Sequence, residues 1–474
     1  MTLLRFDSMT LVCLVVFLGL QIIFPAHLQA KDRKNVILVI GDGMDDHQIT
    51  IARNYLHGSD GALALDQMPF RGVVQVQTVN EDGSGDPVYV ADSANSATAM
   101  ATGVVTSRGR IATTAGTDRP IPTIAEMAKQ AGFAVGVVTT SSITDATPAS
   151  FIAHISQRHC HSPKSMVDYR YRGVLLADCP QYQKAKGGPG SLAEQIAVAG
   201  YDIVLGGGLG YFEELAEGEP EGGKTVLGLA IENGTRVIDS PEELASLDTS
   251  RPTIGLFDTG NLKVRLRGED ERIAEKPIKN WLSYLSDYLG KVELPEPMQC
   301  EPNPDFGDTP SLKSLTEVAL RHLEGRSEAG FFLMVESASI DKQAHERKPC
   351  GSIGELQQLD EVVELAVNYA EQHADTLVMV TADHAQAAQL VPAQSLFANY
   401  PVSVYSPGHL ARIETRSGAV MAVNYATNNF FYEEHTGAQV PIYSNRPGLL
   451  TPYMRQADIY GVSANFMRIP QAQE

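Results

Sequence analysis

Short apolar runs alternate with longer stretches of helical periodicity from residue 35 onwards. The runs are rich in β-branched residues, which is typical of strands in a sheet that is covered on both faces. They occupy residues 36–40, 133–138, 201–205, 331–335 and 376–380. The helix-like stretches between them occupy residues 121–131, 191–199, 311–324 and 355–373. This alternation predicts an α/β/α sandwich with a large, mostly parallel central sheet.

Glycine, proline and acidic residues interrupt this pattern. The segment 217–223 combines all three and predicts a surface loop. The glycines at 206–210 follow a strand but miss the spacing of a dinucleotide-binding loop, so they predict a tight turn. We expect a single domain over residues 31–474, with surface insertions near 212–260 and 385–434.

The first 30 residues have a composition of their own. Arg5 precedes an apolar run at 11–20, and small residues follow before a charged cluster at 31–34. This is the layout of a cleavable secretory signal, with a membrane anchor as the alternative. Cleavage is favoured because the apolar core is shorter than the about 20 residues that span a bilayer. We therefore expect an exported chain, periplasmic or secreted, with no stable membrane span after cleavage.

Length and charge narrow the class of protein. The 474 residues include 57 Asp and Glu against 37 Lys and Arg, a formal charge of −20, and 43% are hydrophobic. This composition excludes an intrinsically disordered or fibrous chain. An acidic chain without a basic stripe is also a poor partner for nucleic acid, so we expect no such role. Any phosphate site would need positive charge supplied locally.

Four cysteines remain once Cys13 is removed with the signal. An even number in an exported chain predicts two disulfides, for which three connectivities exist. Closing short loops favours Cys160 with Cys179 and Cys300 with Cys350. A metal site built from all four thiolates is the alternative, but the chain has no Cys-x2-Cys pair to support it.

Acids and histidines follow several predicted strands. Asp42 lies between two glycines after the first strand, Glu336 ends a later one, and Asp383 and His384 follow another. Each alone could be a turn or capping residue, but their recurrence at strand ends, where ligands gather in such sheets, indicates a shared site. Mixed carboxylate and imidazole ligands suit zinc, whereas an all-oxygen set suits magnesium.

Two further features bear on this site. Asp341 and His345 are four residues apart, so one helical turn would direct both towards the same point. A helix rich in small residues is predicted to begin at Asp92 and Ser93, which could simply cap it. Alternatively, Ser93 is a nucleophile activated by a metal, and the helix start offers N–H groups to an anion. Arg158 could form two hydrogen bonds to a phosphate, or be a plain surface arginine.

Six motifs, in this order along the chain, resemble those of the alkaline phosphatase family. They are Gly-Asp-Gly-Met at 41–44, Asp-Ser-Ala at 92–94, Asp-Ala-Thr-Pro-Ala at 145–149, the ten residues 336–345, Thr-Ala-Asp-His at 381–384 and Glu-His-Thr-Gly at 434–437. The resemblance runs from about residue 35 to at least 440. It implies hydrolysis of phosphate monoesters through a phosphoserine, two Zn²⁺ and one Mg²⁺ per subunit, and a two-fold homodimer.

The resemblance also implies the metal ligands. One zinc would be held by Asp341, His345 and His435, and a second by Asp42, Asp383 and His384. Asp42 would also reach a magnesium held by Thr147 and Glu336, with Asp145 contacting that ion through water.

The family resemblance also implies roles for residues that do not bind metal. Ser93 would be the nucleophile and Arg158 would bind the phosphoryl oxygens. Asp145 and Lys342 match the bacterial pattern, as do the cysteine positions. Many bacterial members have a histidine where this chain has Gln386, two residues after a ligand histidine. Such a residue would orient a ligand, so Gln386 bears on metal affinity and turnover rather than on the type of reaction.

Two other functions compete with monoester hydrolysis. A sulfatase on the same type of sheet needs a Cys/Ser-x-Pro-x-Arg sequence, which the residues after Ser93 lack. Related phosphodiesterases commonly use threonine and have no magnesium site. An exported phosphate- or metal-binding protein without turnover is the third possibility, but simple capture needs no Ser93.

Overall fold

A computed structural model describes residues 33–470, in which short strands and helices follow one another. The signal predicted at 1–30 lies outside the described residues. The strands are β1 (Lys34–Gly41), β2 (Phe70–Gln75), β3 (Thr78–Val79), β4 (Pro87–Val88), β5 (Ala134–Ser142), β6 (Tyr169–Tyr171), β7 (Val174–Ala177), β8 (Ile203–Gly207), β9 (Arg236–Ile238), β10 (Thr253–Leu256), β11 (Leu266–Gly268), β12 (Ile278–Lys279), β13 (Val292–Glu293), β14 (Cys300–Pro302), β15 (Gly330–Ser337), β16 (Thr376–Ala382), β17 (Gln389–Val391), β18 (His409–Glu414), β19 (Val420–Tyr425), β20 (Val440–Ser444) and β21 (Tyr453–Arg455). The helices are α1 (Asp46–His57), α2 (Ser93–Thr102), α3 (Ile124–Gln130), α4 (Ala146–Ile152), α5 (Leu192–Ala199), α6 (Leu209–Phe212), α7 (Val226–Glu232), α8 (Pro241–Ala245), α9 (Leu312–Glu324), α10 (Ser339–His345), α11 (Pro349–Gln372) and α12 (Gln456–Met467).

Ten strands form one sheet, in the order β21-β2-β20-β16-β1-β15-β5-β8-β10-β9. β20 runs antiparallel to both of its neighbours, and the other neighbouring strands pair in parallel. β1 lies at the centre, where Val36 is opposite both Phe332 of β15 and Leu377 of β16. Every residue of β15 and β16 is buried, as continuous apolar runs require. The predicted large, mostly parallel sheet is confirmed.

Two groups of helices cover the two faces of this sheet. α1, α9 and α11 pack together on one face, and α2, α3, α4 and α12 pack together on the other. The sequence of α9 explains its placement, because Leu312, Leu315, Ala319 and Leu323 recur at helical spacing and are all buried. Burying a leucine in this way contributes roughly 1.5–3 kcal/mol. The α/β/α layering predicted from the sequence is therefore confirmed.

The sheet extends further than the apolar runs predict. β9 and β10 lie within 212–260, the segment expected to be a surface insertion, and they form one edge of the main sheet. Segment 385–434 instead contains a separate three-stranded sheet, β17-β19-β18. Of the glycines at 206–210, Gly206 and Gly207 end β8 and Gly210 lies in α6. The tight turn between these two elements is at Gly208, whose φ of +97° favours glycine.

The hairpin β12–β13 presents apolar side chains to solvent. A short 3₁₀ helix, Trp281–Tyr284, lies between its strands. Trp281, the one tryptophan of the chain, is 69% exposed, and Leu285 and Tyr288 beside it are also exposed.

The four cysteines within residues 33–470 form the two disulfides that short loop closure favours. Cys160–Cys179 encloses the hairpin β6–β7, and Cys300–Cys350 ties β14 to the first turn of α11. Among the described helices, none has the length and apolar character needed to cross a membrane.

Candidate active site

Three neighbouring parallel strands deliver acidic residues to one edge of the sheet. Asp42 follows β1, Glu336 is next to last in β15, and Asp383 follows β16. Gly43 then turns the chain with a φ of +68°, and a Cβ there would lie only 3.1 Å from Cβ of Asp341. A glycine is needed at this point because the backbone both turns and passes close to another acidic residue.

The first cluster surrounds Ser93 and is fully buried. Nε2 of His384 lies 3.1 Å from Oγ of Ser93, 3.4 Å from Oδ1 of Asp42 and 3.3 Å from Oδ2 of Asp383. Oδ1 of Asp383 accepts hydrogen bonds from the N–H groups of Gly43 and His384. Its Oδ2 has no hydrogen-bond partner among the described residues. The backbone therefore fixes one carboxylate oxygen and leaves the other directed into the cluster.

The second cluster joins Asp341 and His345 of α10 to His435. Oδ2 of Asp341 lies 3.3 Å from Nε2 of His345, and its Oδ1 lies 3.4 Å from Nε2 of His435. The two Nε2 atoms are 3.0 Å apart. The rings of His384 and His435 stack with centroids 3.6 Å apart, so the two clusters are in direct contact. Ligand atoms of Asp341, His384 and His435 lie within 4.8 Å of one another, as do those of the first cluster's Asp42, Asp383 and His384.

The hydrogen bonds of the second cluster show that its donor atoms suit a metal ion. Nδ1 of His345 lies 2.5 Å from the carbonyl of Glu433, and Nδ1 of His435 lies 2.9 Å from that of Ala91. A carbonyl only accepts, so each Nδ1 carries a proton. Both Nε2 lone pairs then face each other and Asp341, and a cation, either a proton or a metal ion, must lie among them. Two imidazoles with one carboxylate are a donor set that zinc prefers.

Burial and mutual repulsion perturb the groups of the first cluster. Burial, and then the charges of Asp341 and Asp383, raise the pKa of Asp42 well above its usual value. Burial raises the pKa of Asp383 to about 6 and lowers that of His384 well below its usual value. Buried carboxylates packed this closely require positive charge nearby to remain ionised. A metal ion would supply that charge.

An oxygen-rich group lies next to Asp42. Burial raises the pKa of Glu336 to about 7, although Thr139 donates a hydrogen bond to its Oε2. Oγ1 of Thr147 is buried and has no hydrogen-bond partner of standard geometry in the described part of the chain. It nevertheless lies close enough to Glu336 to lower the pKa of that carboxyl. Hydroxyl and carboxylate oxygens are the ligands that magnesium prefers.

Ser93 occupies the first turn of α2. Asp92 caps this helix, since its carboxylate accepts the N–H of Asn95 at 3.1 Å while the Asn95 side chain accepts the N–H of Asp92 at 2.8 Å. All ten residues of α2 are buried, and Ser93 itself is 2% exposed. The free N–H groups and the partial positive charge of the helix start favour an anion beside Ser93.

Arg158 is held in place by two carboxylates. Its Nη1 lies 3.1 Å from Asp92, and its Nη2 lies 3.1 Å from Asp145, whose second oxygen accepts from Nζ of Lys342 at 2.5 Å. Burial alone would raise the pKa of Asp145, but the charges of Lys342 and Arg158 outweigh it and hold that pKa well below its usual value. The resulting network fixes a guanidinium next to the start of α2.

Gln386 contacts a carboxylate of the second cluster. Its Nε2 donates to Oδ1 of Asp341 at 2.5 Å, and its Oε1 accepts the N–H of Ala387 at 2.6 Å. The side chain is 1% exposed, so it has little freedom to leave. Gln386 thus fixes one oxygen of Asp341.

Sequence reasoning missed the residues that hold His345 from outside. Glu433 is fully buried, and its carboxylate accepts from Nε of Arg347 and from Oγ1 of Thr427, both at 2.6 Å. Its backbone carbonyl accepts from Nδ1 of His345, and its backbone N–H donates to the carbonyl of His345. The ring of Tyr432 stacks on that of His345, with centroids 4.3 Å apart. The available signal was two consecutive acids before His435, but nothing in the sequence pairs one of them with Arg347.

A cavity of about 630 Å³ opens beside the second cluster. His345 and His435 line one part of it, and Asp92 lines another. Two aromatic side chains, Phe430 and Tyr432, form a further wall. The cavity therefore connects the buried clusters with solvent.

Known proteins match both the sequence and the fold. A family model described as alkaline phosphatase matches residues 33–460. The chain is 39% identical over 428 residues to an alkaline phosphatase of Escherichia coli, covering 89% of this chain and 82% of that protein. It is 37% identical over 443 residues to alkaline phosphatase H of Pseudomonas aeruginosa, covering 91% and 85%. The alkaline phosphatase from the Antarctic bacterium TAB5 has a similar structure, with a TM-score of 0.64 at 21% identity, covering 93% of this chain and 99% of that one.

Proposed function

The chain belongs to the alkaline phosphatase family and is a phosphate monoester hydrolase, and from this premise we propose that Ser93 is the nucleophile and forms a phosphoserine intermediate. The observation that carries the proposal is the position of Ser93 Oγ, 3.1 Å from Nε2 of His384 and at the start of α2. A capping serine needs no buried imidazole and no cluster of carboxylates beside it. A nucleophile needs both a neighbouring group that favours its ionised form and donors for the phosphoryl oxygens.

We propose two zinc ions and one magnesium ion per subunit. The residues that would hold them are Asp341, His345 and His435 for one zinc, Asp42, Asp383 and His384 for the other, and Asp42, Thr147 and Glu336 for magnesium, with Asp145 acting through water. When bound, zinc supplies positive charge that favours the ionised forms of Ser93 and of the leaving oxygen. Oδ2 of Asp383 and Oγ1 of Thr147 support this assignment, because each is buried and neither forms a hydrogen bond of standard geometry within the described chain.

The reaction has two displacement steps on phosphorus. Oγ of Ser93 attacks, the bond from phosphorus to the alcohol oxygen breaks, and the alcohol leaves with the proton that Ser93 gave up. Water then attacks the phosphoserine, and phosphate leaves as the hydroxyl of Ser93 is restored. Arg158, held by Asp92 and Asp145, is placed to donate hydrogen bonds to oxygens of the phosphoryl group in both steps.

Export and assembly are part of the same proposal. The predicted signal would direct the chain to the periplasm or the medium, and two disulfides are typical of such compartments. We propose that residues 31–474 act as one domain and assemble as a homodimer, which sedimentation of the mature protein would test. A monomer at micromolar concentration would contradict the dimer.

The nucleophile is tested with Ser93→Ala, using Ser96→Ala as the matched control. Ser96 lies on the same helix, is equally buried and has no hydrogen-bond partner for its Oγ among the described residues. We expect release of nitrophenol from the monoester to fall by several orders of magnitude in the first variant and to stay close to wild type in the second. Mass spectrometry after an acid quench should find phosphate on Ser93. Undiminished activity of Ser93→Ala would refute the assignment.

Substrate class and metal content have separate tests. The nitrophenyl monoester should be cleaved faster than the corresponding diester, and the reverse would favour a phosphodiesterase. Metal analysis should give a ratio of two zinc to one magnesium, and chelation should abolish activity until both metals are restored. Tight binding of phosphate with no turnover by the metal-loaded protein would favour a binding protein instead.

A further inference from the structure

The aromatic wall of the cavity has no part in the two displacement steps. We propose that Phe430 and Tyr432 bind a planar aromatic group in the alcohol part of the substrate, an inference that rests on the proposed function of the adjoining site. The preferred substrates would then be phosphate monoesters of alcohols that carry an aromatic ring.

The position of the cavity places this wall next to the reacting group. Ser93 contacts His384, which stacks on His435, which in turn lies 3.0 Å from His345. Tyr432 then stacks on His345 at 4.3 Å with the two rings nearly parallel. A continuous line of contacts therefore runs from the nucleophile to the wall. A phosphoryl group bound at Ser93 leaves its alcohol part to extend into the cavity that borders this line.

The loop that carries the wall is built before any substrate arrives. Asn428 accepts the N–H of Phe430 at 2.8 Å and donates to the carbonyl of Tyr432 at 3.0 Å. Arg347 donates to the carbonyl of Phe430 and pairs with the buried Glu433. Because these bonds already fix the backbone, little conformational entropy is lost when a ligand packs against the two rings.

Two of the three consecutive aromatic residues of this loop line the cavity. Phe430 and Tyr432 belong to the lining, whereas Phe431 does not. The ring of Phe431 packs against that of Phe430, with centroids 4.3 Å apart, and lies 5.0 Å from the guanidinium of Arg172. Phe430 is 61% exposed and Tyr432 is 40% exposed. Large aromatic surfaces left open at a cavity mark a place where an apolar ligand group is bound.

Two further lining residues suit a planar ring as well. They are Val90 and Arg108, and Nε of Arg108 donates to the carbonyl of Val90 at 2.6 Å. Among residues 33–470, Arg108 forms no ion pair with a carboxylate. An arginine without a charge partner is free to lie against the face of an aromatic ring. An aliphatic alcohol would gain neither this contact nor stacking on Phe430 and Tyr432.

The test compares benzyl phosphate with ethyl phosphate, because both release an unactivated primary alcohol. In the wild-type enzyme we expect kcat/KM to be about 3- to 10-fold higher for benzyl phosphate, as one or two aromatic contacts would produce. Phe430→Ala should remove most of this preference, through KM more than through kcat. Phe397→Ala is the matched control, because Phe397 is 60% exposed, close to the 61% of Phe430, and does not line the cavity. This variant should keep the wild-type ratio.

Binding of benzylphosphonate and ethylphosphonate, measured by calorimetry, supplies a readout that needs no turnover. Wild type and Phe397→Ala should bind the benzyl compound more tightly than the ethyl compound. Phe430→Ala should bind the two compounds about equally. Equal kcat/KM for the two esters in wild type, or equal losses in the two variants, would overturn the aromatic subsite while leaving phosphatase activity intact. If neither ester were hydrolysed, the proposed function would fail, and the phosphonate ratio would still decide whether the ring is bound.

Discussion

Removing one partner of the buried ion pair between Glu433 and Arg347 should destabilise the fold far more than the same change in an exposed pair of similar geometry. The proposed change is Glu433→Gln, which keeps the volume of the side chain but removes its charge. Glu433 is fully buried and Arg347 has 7% of its side chain exposed, with an N–O distance of 2.6 Å. The guanidinium would remain in the protein, bonded to carbonyls but without a carboxylate.

The expected magnitude follows from this burial. Removing one partner of a buried pair costs about 3–5 kcal/mol, because the other charge is left uncompensated. Unfolding entropy is about 2.1 cal/mol/K per residue, or roughly 1.0 kcal/mol/K for the 474 residues of the chain. Dividing the two gives a Tm about 3–5 °C below wild type. Loss of the zinc ion proposed at His345 to a chelator should also accelerate, because the backbone of Glu433 holds His345.

The matched control is Glu232→Gln. Glu232 pairs with Nζ of Lys224 at the same distance of 2.6 Å, but 59% and 32% of the two side chains are exposed. Exposed pairs contribute about 0–1 kcal/mol, so the Tm should fall by at most about 1 °C. Thermal unfolding of the metal-loaded proteins, followed by far-UV circular dichroism, measures both. If Glu433→Gln melted within 1 °C of the control, the stabilising role of the buried pair would be refuted.

Three further predictions concern single side chains. Gln386→Leu removes the donor to Asp341 Oδ1, so the affinity for the zinc ion proposed at Asp341 should fall about 10-fold in competition with a chelator, and unchanged affinity would contradict this role. Arg158→Lys keeps the charge but loses the paired donors, so the inhibition constant for inorganic phosphate should rise about 10- to 100-fold, and an unaltered constant would exclude Arg158 from the phosphoryl site. Burial raises the pKa of Glu355 to about 7, above its unfolded value of about 4.3. The protonated carboxyl therefore favours the native state fully below a pH of about 4.3, and this advantage is lost as pH rises through about 7. The Tm of Glu355→Gln relative to wild type should accordingly increase between about pH 5 and 8. A difference in Tm that did not depend on pH would count against the raised pKa of Glu355.

The parts of the fold that were predictable are those in which a local pattern determines burial. The runs that became β1, β5, β8, β15 and β16 are almost entirely apolar, since both faces of the central strands are covered. β9, β10 and β21 have only three or four residues, β2 begins with Phe-Arg-Gly and ends with a glutamine, and β20 contains Pro441, so none of them shows such a run. Their pairing depends on partners far away in the sequence.

The candidate site also contains residues that could be predicted from the sequence and residues that could not. Asp42, Glu336 and Asp383 were visible because strand ends in one sheet converge, and Asp341 and His345 because helical spacing brings them together. The residues that hold these side chains in place could not be predicted from the sequence. Arg347 and Glu433 are separated by 86 residues, and their pairing depends on where a loop of the 385–434 segment crosses α10. Long-range contacts of this kind leave no periodic signal.

The exposed Trp281 on the hairpin β12–β13 has a consequence for spectroscopy. It is the one tryptophan in the chain and 69% of it is already in contact with solvent. Its emission in the native protein will therefore lie near that of free indole in water and shift little when the core unfolds. Tryptophan fluorescence is a poor monitor of denaturation here, but it is a site-specific probe of anything that covers this hairpin. A blue shift on adding a second protein, a detergent or lipid would report directly on that surface.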